Sequence, residues 1–369
     1  MDLDSRPMRI LQVTPGYYPD LGGVESHVQA ISEALVDSGH EVSVVTMSHR
    51  KGLPNVEKVG KVVVRRFPAV GPRAYRIPIG LFRYLCKEAP GFDVIHAHNY
   101  GALPFLLAVL AGSHRTVITP HYHGHGRSRV ADVMHQVYDP IAIPVLQRAG
   151  GVICVSTGEA ELVAQRLGIA KDNIVVIPNA IPFHGMDVGN RSSVENKDNL
   201  ILSVGRLDAY KRVDRVVKSL PYLPKEFTLI VIGTGSEKDA LVRLASSLSV
   251  EDRVRFLGYV SDEELCTWYT RSKVVVSLSE GEAFGRVVVE ALASGCKVVC
   301  NDIPAFRDFS VKFPKEVSLV ASTANQQGVA EAIRSAASKP FRSVDLQDYT
   351  GAKIAEMLLK TYCTVTNNN

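Results

Sequence analysis

The stretch KVVVSLSEGEAFGRVVVEALASGCKVVCND, Lys273 to Asp302, decides the fold. KVVVSLS is a β-branched run of strand type, and EGEAFG is a glycine-containing loop at its C-terminal end. RVVVEALASG carries apolar residues at helical spacing and is stopped by Gly295, after which CKVVCND opens another strand. A strand, a helix and a second β-branched strand joined by short loops predict a parallel pair.

The same rhythm extends in both directions. MRILQVTPG reads as a buried strand, followed by a glycine-rich loop and the amphipathic helix VESHVQAISEALVDSGH, ending at Gly39. Short Val/Ile-rich runs follow in EVSVVTM, KVVVRRF, DVIHAH, TVITPH, GVICVS and IVVIPNAI. A polar stretch, HGMDVGNRSSVENKDN (184–199), interrupts them and is the predicted linker. The pattern restarts with LILSVGRL, FTLIVIGTG, RVRFLGYV and the opening stretch, and QDYTGAKIAEMLLKTY is a terminal amphipathic helix. The expected class is α/β, with two doubly wound domains facing across a cleft. Open α/β sheets bind ligands there, at their strand C-termini.

Composition narrows the function. The chain has 369 residues, 46% hydrophobic, and a formal charge of only +4, which does not mark a nucleic-acid binder. Charge is uneven: Arg50 to Pro90 holds ten Lys/Arg against two Glu, so the remainder is net acidic. Six scattered cysteines without a CxxC pair predict a reducing, cytoplasmic setting. MDLDSRP lacks the features of a signal peptide, and ALPFLLAVLAG is about half the length of a membrane span.

The chemistry centres on Glu282 and Glu290, eight residues apart. N–H groups near Phe284, Gly285 and Arg286 would sit at a helix N-terminus and favour a phosphate. Glu290 lies about 7–8 Å further along at the helical rise, roughly the span from a diphosphate to a ribose. Glu282 lies on the other side, where a sugar on that diphosphate would project. SVGRLDAYKR places Arg206 and Lys211 in the loop after a strand, two cations suited to a diphosphate leaving group. Gly233 and Gly235 in VIGTGSEKD, and Gly22 and Gly23 in PDLGGVE, are further backbone sites before helices.

Together, the Gly-Gly loop, DVIHAH, TPH, PNAI, GRLDAYK, IGTG, RFLGYVSDEEL and EAFGRVVVEALASG resemble the retaining glycosyltransferases of the large group 1 family with a Glu-x7-Glu motif. That family contains bacterial mannosyl-, glucosyl- and N-acetylhexosaminyl-transferases. The resemblance implies the GT-B architecture, with residues 1–185 plus a returning 348–369 on the acceptor side and 186–347 binding the donor. It implies transfer of a hexosyl unit from a UDP- or GDP-sugar to a lipid-linked or glycan acceptor, with retention and without a metal or other cofactor. Carried over by position, His121, Arg206, Lys211 and Glu282 are catalytic. The donor set is Gly22, Gly23, Arg206, Lys211, Gly233, Tyr259, Val260, Glu282, Ala283, Phe284, Gly285, Arg286 and Glu290. Two positions depart from the family: Arg212 and Ala180 stand where glycine is common.

Other readings stay open at this level. A nucleotide-sugar epimerase would break the same bond without an acceptor, and a non-catalytic nucleotide-sugar binder would keep Arg206 and Glu290. His96 and His98 in HAH, and His121, His123 and His125 in HYHGH, could instead serve a metal-dependent hydrolase. In GPRAYRIPIGLFRYLCKE, Arg73, Arg76, Arg83 and Lys87 accompany Tyr75, Ile77, Ile79, Leu81, Phe82, Tyr84 and Leu85. This mixture suits an anionic membrane surface on the cytoplasmic face, or an ordinary helix packed on the sheet with a solvated basic edge.

Overall fold

The computed structural model describes residues 6–20, 22–48, 52–71, 76–123, 129–181 and 197–367. The chain divides into two compact units, Met1–Pro182 with Asp348–Asn369, and Phe183–Gln347.

In the first unit the strands are β1 (Arg9–Val13), β2 (Glu41–Ser48), β3 (Val56–Val59), β4 (Val62–Val70), β5 (Ile77–Pro78), β6 (Val94–His98), β7 (Thr116–Thr119), β8 (Gly151–Cys154) and β9 (Ile174–Val176). They are ordered β3-β4-β2-β1-β6-β7-β8-β9, with β5 pairing β4. Pairing is parallel except where β3 and β5 meet β4. The β3–β4 hairpin closes through Gly60, at φ +57°, a left-handed position that glycine occupies without steric cost. Its Glu-Lys interior hid it from a search for β-branched runs.

The second unit contains β10 (Asp198–Val204), β11 (Thr228–Ile232), β12 (Val254–Gly258), β13 (Ser272–Ser277), β14 (Lys297–Asn301) and β15 (Val317–Val320). All are parallel, in the order β12-β11-β10-β13-β14-β15. Counted along the chain this is 3-2-1-4-5-6, the dinucleotide-fold order, whose direction of winding reverses between β10 and β13. In the first unit it reverses between β1 and β6.

The opening stretch forms β13, the helix Arg286–Ala293 and β14. The predicted linker is corrected at its end: 184–196 lie outside the described residues, but Asp198 and Asn199 begin β10. Asp198 is held there by Arg271, whose Nε donates to its carboxylate at 2.9 Å.

The terminal helix Gly351–Asn367 belongs to the first unit. It packs on the helix Gly23–Asp37 so closely that a Cβ on Gly351 would sit 3.2 Å from the Ala34 Cβ. Its Tyr362 is fully buried, with the hydroxyl 2.7 Å from His96 Nδ1. Each sheet is covered by apolar clusters, Leu11, Phe105 and Ile118 among others in the first unit and Val217, Leu229 and Val276 in the second.

Candidate functional site

Where winding reverses, the crossovers leave in opposite directions and the flanking loops splay apart, so ligands enter there. In the second unit those loops follow β10 and β13. Gly205, at φ +146°, turns the chain out of β10, and the GTG loop after β11 packs against it. A Cβ on Gly233 would lie 1.8 Å from the Gly205 carbonyl oxygen, and one on Gly235 would lie 2.3 Å from that of Leu207. The Leu207 N–H donates to Thr234 O at 2.9 Å. Both glycines are thus required by backbone approach, which holds the Arg206 loop in place.

From that loop Arg206 donates to Tyr210 Oη at 2.5 Å and pairs with Asp208 at 2.9 Å. Lys211 Nζ lies 2.5 Å from Glu282 Oε1, joining the loops after β10 and β13. The Glu280 N–H donates to Tyr210 O at 2.8 Å, a second link between them. Arg212, at φ +52°, occupies a left-handed position that costs a side-chain-bearing residue roughly 1–2 kcal/mol. This explains why glycine suits that site. Here Arg212 pairs with Glu280 and Asp214. Ala180, the other departure, is buried in the core of the first unit.

Gly285 caps the helix Arg286–Ala293 at φ +102°, and a Cβ there would meet Phe306 Cε1 at 2.5 Å. No side chain caps the helix; the Val288 N–H turns back to Gly285 O at 2.9 Å, and the N–H groups that begin the helix lack a partner within it. The Arg286 Nη2 donates to Glu290 Oε1 at 3.3 Å, while its buried Nε has no partner among the described residues. Tyr269, fully buried, donates its hydroxyl to Glu290 Oε2 at 2.8 Å. Burial, and then the neighbouring Glu290 charge, push the Tyr269 phenol well above its usual pKa, so it stays a donor. Lys197 Nζ reaches the carbonyls of Tyr269, Ser272 and Ser294 and ties this helix to β13. Glu290 is therefore a held carboxylate, 13% exposed. Beyond β12, Tyr259 is 67% exposed and Val260 is buried.

In the first unit the reversal point carries histidines. Ring nitrogens of His27, His98 and His121 lie within 4.8 Å of one another. Burial lowers the His98 and His121 pKa values well below the usual histidine value, so both rings are neutral. His121 has φ +51°, a strained conformation of the kind found at functional sites. It is followed by Tyr122, whose N–H donates to the buried Glu159 carboxylate at 2.5 Å. The other Glu159 oxygen accepts from Val155 N–H at 2.6 Å. His96 belongs to the packing instead, with Nε2 2.8 Å from Thr119 Oγ1 and Nδ1 bonded to Tyr362. His125 lies outside the described residues. The helix Gly23–Asp37 starts without a side-chain cap, and a Cβ on Gly23 would meet nothing within 4 Å.

The chain matches the family described as Glycosyl transferases group 1 over residues 189–353, and Glycosyltransferase Family 4 over residues 21–184. It is 30% identical to a phosphatidyl-myo-inositol mannosyltransferase of Mycolicibacterium smegmatis, over 81% of this chain and 78% of that protein. This chain is a group 1 glycosyltransferase. An uncharacterized glycosyltransferase of Methanocaldococcus jannaschii is 29% identical over 80% of this chain and 81% of its own. Anabaena HepE, solved in complex with UDP and glucose, aligns over 98% of both chains with a TM-score of 0.67 at 20% identity. The group 1 glycosyltransferase has the GT-B fold of such structures.

Several groups that hold the candidate site were not found from the sequence of this glycosyltransferase. Tyr210 and Tyr269 act through contacts that leave no local pattern. Glu159 did leave one, the Ser-x-x-Glu box of Ser156 and Glu159, where Ser156 Oγ accepts from the Glu159 N–H. His27 stood in plain view inside an amphipathic helix pattern.

The basic segment is a mixture. Leu81 and Leu85 of the helix Leu81–Glu88 are buried, and Tyr84 packs on Phe67 with Arg65 over its ring. Ile77, Ile79 and Phe82 are exposed at 56%, 55% and 44%, beside exposed Arg83 and Lys87 and half-buried Arg76. Arg73 and Tyr75 lie outside the described residues. Among the described residues no helix is long and apolar enough to cross a membrane.

Proposed function

We propose that this glycosyltransferase retains anomeric configuration and moves a hexosyl unit from a UDP- or GDP-sugar to a lipid-linked or glycan acceptor. The observation that carries this reading is the Lys211–Glu282 contact across the reversal point, followed by the uncapped helix start at Gly285. The ammonium of Lys211 has three donors and gives one to Glu282, leaving two for a diphosphate. Arg206 adds a second cation, and the helix N-terminus adds N–H groups. As the sugar–phosphate bond breaks, negative charge grows on the leaving oxygen, where these groups stabilise it more than in the ground state. Glu282 accepts from donor-sugar hydroxyls and Glu290 from the ribose, with backbone groups near Tyr259 and Val260 beside the base. His121 lies beside the anomeric carbon. The acceptor oxygen bonds to that carbon on the face the phosphate leaves, and the acceptor proton passes to the leaving phosphate oxygen. Two cations replace a divalent metal at the diphosphate.

An inositol-containing phospholipid is the first acceptor to assay, because a relative sharing 30% identity is named for transfer to phosphatidyl-myo-inositol. The exposed Ile77, Ile79 and Phe82, set among Arg76, Arg83 and Lys87, support docking on an anionic bilayer. The test is incubation with labelled UDP- and GDP-sugars and vesicles, with and without chelator. Label should enter the lipid in chelator; donor isomerised without acceptor would mark an epimerase, and restoration only by zinc or manganese a metal enzyme.

A further inference from the structure

We propose that His27, His98 and His121 form a binding site for one divalent transition-metal ion, zinc above all, which is not a cofactor of sugar transfer. The three come from separate elements at the winding reversal of the first sheet: the helix Gly23–Asp37, β6, and the loop after β7.

His98 Nε2 lies 2.8 Å from Gln12 Oε1. With the Gln12 amide oxygen assigned to face it, that nitrogen carries the proton and Nδ1 holds a lone pair, while Gln12 Nε2 is itself buried without a hydrogen-bond partner among the described residues. Nδ1 is buried and has no hydrogen-bond partner among the described residues, and the same holds for His121 Nε2. Gln12 thus acts as the outer partner that fixes a ligating ring's tautomer. His27 closes the set, its ring centroid 5.2 Å from that of His121 and 5.8 Å from that of His98.

His96 provides the contrast within the same sheet. Both of its nitrogens are bonded, to Tyr362 and Thr119, as a structural buried histidine requires. Leaving two neighbouring imidazoles with buried, unsatisfied lone pairs is costly unless something occupies them.

The spacing of the rings is near that of ligands to one ion. Three nitrogens within 4.8 Å of one another fit a circle of radius about 2.8 Å, so bonds of about 2.1 Å require inward shifts of roughly 0.7 Å or less. Neutral imidazoles favour zinc, cobalt, nickel and copper over magnesium or calcium. Among the described residues no carboxylate or thiolate joins the group to offset the ion's charge, which predicts reversible binding and leaves a fourth position for water. Occupation would also withdraw His121 from the donor sugar and inhibit transfer. That consequence rests on the function proposed above; the binding does not.

The experiment titrates the full chain, stripped of metal, with cobalt(II) and follows visible absorption. One equivalent should give the intense bands of four-coordinate cobalt, displaced by zinc. His98→Ala and His27→Ala should abolish them, and Gln12→Ala should weaken binding roughly 10- to 100-fold. His114→Ala, an exposed histidine, should change nothing. Weak six-coordinate absorption alone, no binding at about 0.1 mM cobalt, or an unchanged spectrum in correctly folded His27→Ala overturns the site. If cobalt binds as described but zinc leaves transfer untouched, the metal site stands and the placement of His121 beside the sugar falls.

Discussion

Glu290 offers the sharpest perturbation, because its two oxygens already have defined partners. One accepts the buried Tyr269 hydroxyl at 2.8 Å and the other the Arg286 guanidinium at 3.3 Å, leaving lone pairs for a ribose. Hydrogen bonds to a charged group are worth about 1.5–3 kcal/mol and neutral ones about 0.5–1.5 kcal/mol. Glu290→Gln therefore loses about 1–1.5 kcal/mol for each of the two ribose contacts, about 2–3 kcal/mol together, and nucleoside diphosphate Kd should rise roughly 30- to 150-fold. Glu290→Ala removes both contacts, about 3–6 kcal/mol, and should raise Kd by roughly 100- to 10,000-fold. It also strands the Tyr269 hydroxyl, at a cost of about 1–3 kcal/mol in folding stability. Calorimetric titration with UDP and GDP, alongside urea denaturation, separates the two effects. Tyr269→Phe controls for the stability term, since it removes the donor and leaves the carboxylate. A nucleotide lacking the ribose hydroxyls should bind wild type more weakly but Glu290→Ala no worse than the natural one. Equal affinity of both Glu290 variants and wild type would refute the ribose assignment.

Other expected outcomes follow from the same geometry. Gly285→Ala combines a left-handed backbone with a Cβ 2.5 Å from Phe306, roughly 2–5 kcal/mol together, so an unchanged Tm would contradict the packing described. Lys211→Ala should lower kcat about 100- to 1,000-fold, with a smaller change in nucleotide affinity; a kcat within about threefold of wild type would remove Lys211 from the transition state. Burial pushes the Glu159 carboxyl up to about 8, against the N–H groups of Val155 and Tyr122 that pull it down. A raised folded-state pKa gives stability that is full below the unfolded value, about 4.5, and lost as pH rises to about 8, up to roughly 1.4 kcal/mol per pH unit. Glu159→Gln should flatten that slope in urea midpoints, and an identical slope would show that the carboxyl does not titrate there. Replacing Arg76, Arg83 and Lys87 with Ser should cost about 1 kcal/mol each in co-sedimentation with anionic vesicles at low salt, and equal sedimentation of variant and wild type would sink the membrane reading.

The second sheet was the more legible in sequence. KVVVS and KVVCN are almost pure β-branched runs, and parallel strands buried on both faces show that signature directly. The edge strands were harder. VEKV and VSLV are only four residues long and carry polar residues where an edge meets solvent, two in the first and one in the second, and neither was read as a strand. Gly285 was legible as a helix stop or start, but not as a residue excluded by Phe306, which folds back from a later helix. The charged residues of the site could be named because they stand in motifs, the Glu282–Glu290 spacing and GRLDAYK, that carry the family resemblance. Their supports, Tyr210, Tyr269 and Lys197, could not, since their roles depend on long-range contacts. His121 was found through its motif, whereas its strain, its Glu159 anchor and its neighbour His27 arise only in the folded chain.

The central claim is retention in transfer from a nucleotide sugar. It is tested most directly by proton NMR of the reaction with an α-linked UDP- or GDP-sugar and an inositol phospholipid in chelator. The account predicts a product whose anomeric proton shows the α coupling from its first appearance, with loss of that signal in Lys211→Ala. A product that first appears with the β coupling would contradict it.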